Sequence, residues 1–258
     1  MLNGGTTEME YHIKENEWEH LHRFLEGVKG LHTSAEPNLR QFIEAVWFMA
    51  RGGCQWRLLP REYGSWRAVH RRFKRWSDQG IWRNLLSFLS KDFDGESVMI
   101  DATIVRAHPC AAGFEKESQD QEALGRSKGG FTTKIHAVVD ALGQALRLTL
   151  TAGQRHDITQ ASSLLEGFEN TNVIADKGYD SNAFIEQLNT QNCQPVIPPR
   201  SNRKTPRDYD AHLYKERHLI ECFFNKIKHF RRVFSRFDKS ASAYLAFLQF
   251  VSALLWLR

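Results

Sequence analysis

"SVMIDATIVRAH", residues 97–108, runs three apolar residues straight into an acid, Asp101, and continues with β-branched residues. Such a run reads as a buried strand. "TNVIADKGYDS" (171–181) repeats the device, an apolar strand that delivers Asp176 and is followed by a glycine. Between them, "FTTKIHAVVDALGQALRLTLTAG" (131–153) alternates apolar and polar residues on both sides of "DALGQ". That pattern predicts two strands joined by a tight connection, with Asp140 as a turn residue. "HDITQASSLLEGF" (156–168) and "NAFIEQLNTQN" (182–192) have helical spacing, with Asp157 expected to cap the first, and "QPVIP" (194–198) reads as a last short strand. The order β-β-β-α-β-α-β-α predicts an α/β fold: a mixed five-stranded sheet with helices on both faces. In that topology the first and fourth strands lie side by side, so Asp101 and Asp176 become neighbours.

Upstream the pattern is helical. Residues 14–30 carry a stripe of Trp18, Leu21, Leu25 and Val28, with Gly30 as the expected stop. "PNLRQFIEAVWFMARGG" (37–53) repeats it and closes on Gly52 and Gly53. "SWRAVHRRFKRWSDQGIW" (65–82) starts at Ser65, an expected N-cap. Trp66, Val69, Phe73 and Trp76 face one way, while Arg67, Arg71, Lys74 and Arg75 face mainly the other. Arg72 belongs to the same basic run. Between Arg51 and Arg83 nine Lys or Arg stand against two acids, Glu62 and Asp78, a density that points to a polyanion. A helix-turn-helix-like module lying against double-stranded DNA fits this pattern, and a surface helix covered in solubilising arginines is the plainer alternative. Trp66, Trp76 and Trp82 are assigned to the core of this module. "FDGES", near residue 95, marks the boundary between a helical DNA-binding domain (12–93) and a catalytic domain (96–258).

The remaining composition excludes several classes. The four cysteines, Cys54, Cys110, Cys193 and Cys222, form no C-x-x-C pair, so neither a disulfide framework nor a zinc site is expected. No secretory leader pattern opens the chain, and a reduced cytoplasmic setting is expected. "SASAYLAFLQFVSALLWLR" (240–258) is the most apolar stretch, but Gln249 and its hydroxyl residues favour a buried helix over a membrane anchor. Net charge is +5 and the isoelectric point about 9.0.

A third carboxylate stands in "YKERHLIECFFNKIK" (214–228). On a helix, Tyr214, Arg217, Glu221 and Lys228 share one narrow sector, while Ile220, Phe224 and Ile227 form a flank that can pack on a core. A Glu beside an Arg and a Lys is also ordinary on a solvated helix. Two strand-end acids side by side repel unless a proton or a divalent cation lies between them. Asp101, Asp176 and Glu221 together make a hard oxygen donor set suited to Mg²⁺ or Mn²⁺, and a metal pair can drive phosphodiester chemistry. Arg217 and Lys228 would meet phosphate oxygens. Lys177, Arg106, Arg200 and Arg203 are further candidates for phosphate, and Asp180 is set aside as a ligand because it lies a turn beyond the strand end.

The spacing Tyr, two residues, Arg, three residues, Glu, six residues, Lys resembles that of the DDE transposases of bacterial insertion sequences. Tyr214, Arg217, Glu221 and Lys228 fit it without departure. "MIDATIVRAH" and "IADKGYDS" resemble the segments bearing the family's first and second Asp. "GRSKGGFTTKIHAVVDALG", "GQRHDITQ", "VIPPRSNRK" and "GGCQWRLLPREYGSWRAVHRRFKRW" resemble their counterparts too. The likeness runs from about residue 16 and is nearest to the insertion sequence 5 group; the first eleven residues lie outside it. The resemblance implies a ribonuclease-H-like catalytic domain, two Mg²⁺ ions, and cleavage and joining of DNA at terminal inverted repeats. It also implies a homodimer or higher oligomer that brings two ends together. The 45 positions separating Asp176 from Glu221 leave no room for an inserted β-domain. A ribonuclease-H-like nuclease without strand transfer, or a regulator with lapsed catalysis, are the alternatives; the presence of all three acids favours the enzyme.

Overall fold

The computed structural model describes residues 11–31, 35–112, 121–127 and 130–258. The opening residues of the chain, and Lys128 and Gly129 of the glycine-rich segment, lie outside them. Four helices come first: α1 (Glu15–Glu26), α2 (Glu36–Gly52), α3 (Trp66–Asp78) and α4 (Ile81–Leu89). Trp18, Leu21 and Leu25 bury the inner stripe of α1, and the helix closes at Gly27 rather than Gly30, with the Gly27 N–H returning to the Phe24 carbonyl (3.1 Å). Segment 65–82, read as one helix, is two. Gly80 adopts a left-handed φ of 70° that ends α3 and launches α4. Ser65 does precede α3, yet its side chain makes no capping bond.

The sheet follows: β1 (Ser97–Ala107), β2 (Gly125–Ser127), β3 (Gly130–Asp140), β4 (Ala145–Ala152), α5 (Ile158–Leu164), β5 (Asn172–Ile174), α6 (Asn182–Thr190) and β6 (Gln194–Val196). The hairpin β3–β4 turns on Asp140, whose carboxylate accepts from the N–H groups of Leu142 (3.0 Å) and Gln144 (2.7 Å). β1 pairs antiparallel with β3 on one side and parallel with β5 on the other, and β6 adds parallel to β5. The five principal strands therefore stand in the order β4-β3-β1-β5-β6, with the short β2 continuing the β4 side of β3. This is a ribonuclease-H-like sheet, a meander of three strands extended by two parallel strands beyond β1. The chain ends with α7 (His218–Lys228), α8 (Arg231–Phe234), β7 (Ser235–Arg236) and α9 (Ala241–Trp256); β7 pairs with the far end of β1. Residues 214–228 are not one continuous helix: a tight 3₁₀ turn, Leu213–Arg217, carries Tyr214 into α7.

Period-two alternation on β1 sorts the two faces. Val98 and Ile100 point into a core with α5 and α6, built from Leu164, Phe184 and Leu188. Met99 and Val105 point the other way, into a core with Ile220, Phe224 and Ile227 of α7 and with α9. That second core continues without a break into the helical segment. Phe73 of α3 stacks on Phe247 of α9 (4.3 Å), and Trp82 of α4 meets Phe250 edge-on (5.2 Å). Residues 246–254 of α9 are all buried, which accounts for its nearly uniform apolar sequence. Trp76 and Trp82 are core residues as expected, and Trp66 is half-buried. No helix among the described residues is long and apolar enough to cross a membrane. All four cysteines are free.

One close approach ties the helical segment to the C-terminal elements. Gly53 ends α2 with a φ of 65°, and a Cβ there would lie 2.8 Å from Cβ of Arg231. Gly53→Ala is expected to cost about 2 kcal/mol, from left-handed strain alone as much as from the collision. Thermal unfolding should show a Tm roughly 4–8 °C lower. Gly52→Ala, with open space around it and a helical position to improve, should match or exceed the parent.

Candidate active site

The register of β1 and β5 brings the two aspartates level. Met99 pairs with Ile174, both facing the α7 side, and two residues further along each strand stand Asp101 and Asp176. The backbone past Ile174 stays laddered, since the Ala175 N–H donates to the Val196 carbonyl (3.3 Å). Asp176 then turns, its Oδ1 accepting from the Gly178 N–H (2.8 Å). A Cβ at Gly178 would sit 2.8 Å from that oxygen, which is the local reason for the "DKG" sequence.

α7 closes over the same strand face. Nη1 of Arg217 donates to Oδ2 of Asp101 (2.9 Å), and Nη2 of the same guanidinium donates to Oε1 of Glu221. Lys228 Nζ donates to Thr103 Oγ1 (2.7 Å), two residues beyond Asp101 and therefore on its side of the sheet. Tyr214 stands beside Arg217 and Asp176. Burial pushes its hydroxyl pKa up, Arg217 draws it back and Asp176 raises it further. The charge of Asp176 acts on both Asp101 and Arg217.

Electrostatically the site is short of positive charge. Burial pushes the Asp101 pKa up to about 6, against the pull of the Ala102 N–H and Arg217 and with the help of Asp176 and Asp157. Tyr179, buried beneath, is raised first by burial and then by Asp101, Asp157 and Asp176; its hydroxyl has no hydrogen-bond partner. Among the described residues no three acidic, cysteine or histidine side chains already converge as a cation cage. In donor chemistry, the carboxylates of Asp101, Asp176 and Glu221 are the hard oxygens that suit Mg²⁺ or Mn²⁺; Asp176 lies close enough for its charge to raise Asp101, and Glu221 shares Arg217 with it.

Several predicted residues lie elsewhere. Arg67, Arg71, Lys74 and Arg75 line an open groove along α3 with Trp66 and His70. Lys74 pairs with Asp78 (3.0 Å), and the other three have no carboxylate partner among the described residues. Arg72, grouped with them from sequence, turns back instead. Its guanidinium stacks over Phe42 (4.5 Å) and Trp76 (5.0 Å), because its position falls at the margin of the buried stripe. Arg203 is committed bidentately to Asp180 (2.7 Å to each oxygen), with Arg207 on the same carboxylate (2.6 Å). Arg200 donates to the carbonyls of Lys177 (3.2 Å) and Gly178 (2.7 Å). These arginines therefore brace the turn behind Asp176 rather than face outward as free cations. Burial of Asp180 is outweighed by Arg203, the Arg200 N–H and Arg207, which hold its carboxyl below the usual range. Lys177 and Arg106 are exposed. His136 lies on the opposite sheet face, bonded to Thr151 Oγ1 (2.8 Å), and burial lowers its pKa to about 4. Asp157 occupies the N-cap position of α5 as expected, but its side chain makes no capping bond and pairs instead with Lys134 (2.6 Å). Sequence reasoning missed Thr103 and the Lys134–Asp157 pair. Strand parity from Asp101 marks Thr103, whereas nothing in the spacing marks a pair 23 positions apart.

A family model described as "Transposase DDE domain" matches residues 92–256, and one described as "Putative transposase of IS4/5 family" matches residues 13–86. The chain belongs to the DDE transposases. The "Putative transposase for insertion sequence element IS6501" of Brucella ovis is 47% identical over 132 residues, covering 49% of this chain and 99% of that one. Its counterpart for IS402 of Burkholderia cepacia is 31% identical over 129 residues, covering 45% and 59%. Among solved structures, the piggyBac transposase synaptic complex with hairpin DNA has a TM-score of 0.41 at 14% identity, covering 74% of this chain and 48% of that one. The Mos1 transposase paired-end complex has a TM-score of 0.29 at 12% identity, covering 75% of each. As a DDE transposase the chain is an enzyme of DNA cleavage and strand transfer.

The raised pKa of Asp101 has a signed consequence in metal-free protein. Its carboxyl binds a proton more tightly folded than unfolded, so this group favours folding below pH 4 and loses that contribution as pH rises to about 6. Asp101→Asn does not titrate. Measured by denaturant unfolding in chelator, its stability relative to the parent should fall by about 2 kcal/mol as pH drops from 6 to 4. A flat difference across that window would mean an ordinary carboxylate.

Proposed function

We propose that this transposase cuts and joins DNA at the terminal inverted repeats of its own insertion sequence, with Asp101, Asp176 and Glu221 holding two Mg²⁺ ions. The observation that carries the reading is the convergence of Asp101 and Glu221, distant in sequence, on one guanidinium, with Asp176 level on the next strand. Bound there, Mg²⁺ or Mn²⁺ supplies Lewis-acid stabilisation of the phosphodiester and an activated water or 3′-hydroxyl. The chain's own groups do the rest. The backbone ladder of β1 and β5 fixes the aspartates, and Lys228, which has no carboxylate partner among the described residues, is available to a phosphate oxygen. Tyr214 and Arg217 border the same surface.

Double-stranded DNA is the partner, and the groove of Arg67, Arg71, Lys74 and Arg75 is its docking face on the helical unit, residues 12–93. Arg72, Arg200 and Arg203 contribute by bracing rather than by direct contact. Residues 96–258 form the catalytic unit. Two ends must meet for both to be cut and joined, so the working species is a homodimer or higher oligomer. Membership of the insertion sequence 5 group is the finer placement, supported by the sequence likeness that runs over nearly the whole chain from about residue 16.

Asp101→Asn, Asp176→Asn and Glu221→Gln should each lower cleavage of an end-bearing duplex by roughly 100-fold or more while end binding stays within a few-fold. A variant that nicks with normal metal dependence removes its residue from the site. Pre-cleaved ends that the parent never joins to target DNA would favour a nuclease without strand transfer.

The α3 groove is tested separately. Arg71→Ala with Arg75→Ala should weaken duplex binding. The slope of log affinity against log salt should become shallower by roughly 2, about one for each phosphate no longer neutralised. An unchanged slope would make the basic face of α3 a solvated surface.

A further inference from the structure

The two cations beside the candidate metal ligands are held differently. Lys228 touches a hydroxyl, and no carboxylate among the described residues holds it. Arg217 is held between two acids, one terminal nitrogen on Asp101 and the other on Glu221. A guanidinium is a planar fork whose donors diverge from one carbon. Bridging two carboxylates with it fixes both acids around a positive centre. Without that centre, a buried Asp101 and a neighbouring Glu221 would face each other as like charges. Arg217 thus stands where a divalent cation must make its contacts.

We propose that Arg217 is the resident counterion of the metal-free site and is exchanged when metal enters. The incoming cation takes over the oxygens of Asp101 and Glu221, and the released guanidinium becomes free to hold a phosphate oxygen of DNA. This rests on the reading of Asp101 and Glu221 as metal ligands. The surroundings of the bridge suit such an exchange. Glu221 is half exposed (52%), while Asp101 (19%) and Arg217 (23%) are largely covered, so Glu221 is the arm able to swing out. The bridge also spans a joint, because Arg217 ends the 3₁₀ turn and Glu221 lies in the first turn of α7. A 3₁₀–α junction can tighten or unwind at little cost in hydrogen bonding. Metal and phosphate then compete with the same ion pair from opposite sides. Each favours binding of the other, by the same factor.

The test uses full-length, chelator-stripped protein and two binding measurements, neither of which reads turnover. Free Mn²⁺ is followed by electron paramagnetic resonance without DNA. Affinity for a labelled duplex is followed by anisotropy with and without Ca²⁺. Arg217→Gln and Arg217→Lys should both bind Mn²⁺ several-fold more tightly than the parent. The lysine variant is decisive because it keeps the charge but loses the planar fork that spans Asp101 and Glu221, and it carries the test if the glutamine variant fails to fold. In the parent, Ca²⁺ should tighten duplex binding about fivefold or more, and in both variants that gain should disappear. Mn²⁺ affinity that is unchanged or weaker in Arg217→Lys overturns the exchange, because Arg217 would then support the metal ligands instead of competing for them. A parent whose Mn²⁺ binding is indifferent to Asp101→Asn overturns the metal site itself, a distinct failure.

Discussion

A carboxylate desolvated on an interior strand must be matched by a cation or by a proton, and Asp101 places that demand on the side chains that face it. Its strand is covered on the Val98 and Ile100 side by α5 and α6, so the charge can be answered only from the other side. There α7 packs through Ile220, Phe224 and Ile227, and its polar edge is thereby aimed at β1. Arg217 reaches Asp101 and Lys228 reaches Thr103 because hydrophobic burial, not charge attraction, has already fixed the rotation of the helix. The ion pairs refine a placement that the apolar face determines.

The same logic extends outward. α7 is held by α8 and α9, and α9 is apolar all round because it is surrounded, by the sheet on one side and by α3 and α4 on the other. Arg232 strengthens the junction: it is buried, paired to Asp238 (2.8 Å), and donates to the Cys54 carbonyl just beyond α2 (2.9 Å). The site therefore rests on elements drawn from both ends of the chain.

Much of this is legible in the sequence because it follows from periodicity. An apolar run that ends in an acid gives the strand, and the strand order gives Asp101 and Asp176 their adjacency; only Asp176 stands at a strand exit, because pairing with β3 carries β1 on to Ala107 and leaves Asp101 in mid-strand. What stays hidden is set by partners without a local signature. Arg203 looks like a free cation because Asp180, 23 positions away, gives no hint that the fold will bring them together. Asp157 has the composition of a helix cap but is claimed by Lys134 across the sheet. Arg72 misleads for a different reason. It is three residues after Val69 and four before Trp76, so it rides the rim of the buried stripe and its stem follows the aromatics inward. α4 escapes notice because only the backbone reversal at Gly80 separates it from α3.

The unbroken packing of Phe73 and Trp82 against α9 makes the basic helix and the acidic centre parts of one solid body. Under the proposed reading the protomer then works as a caliper: one jaw grips the duplex, and the other rests at a set stride along it. Each base pair added between grip and cut would carry the target phosphate about 3.4 Å onward and around the double helix. With the jaws joined through one packed core, the enzyme would count that interval in protein rather than read it in bases.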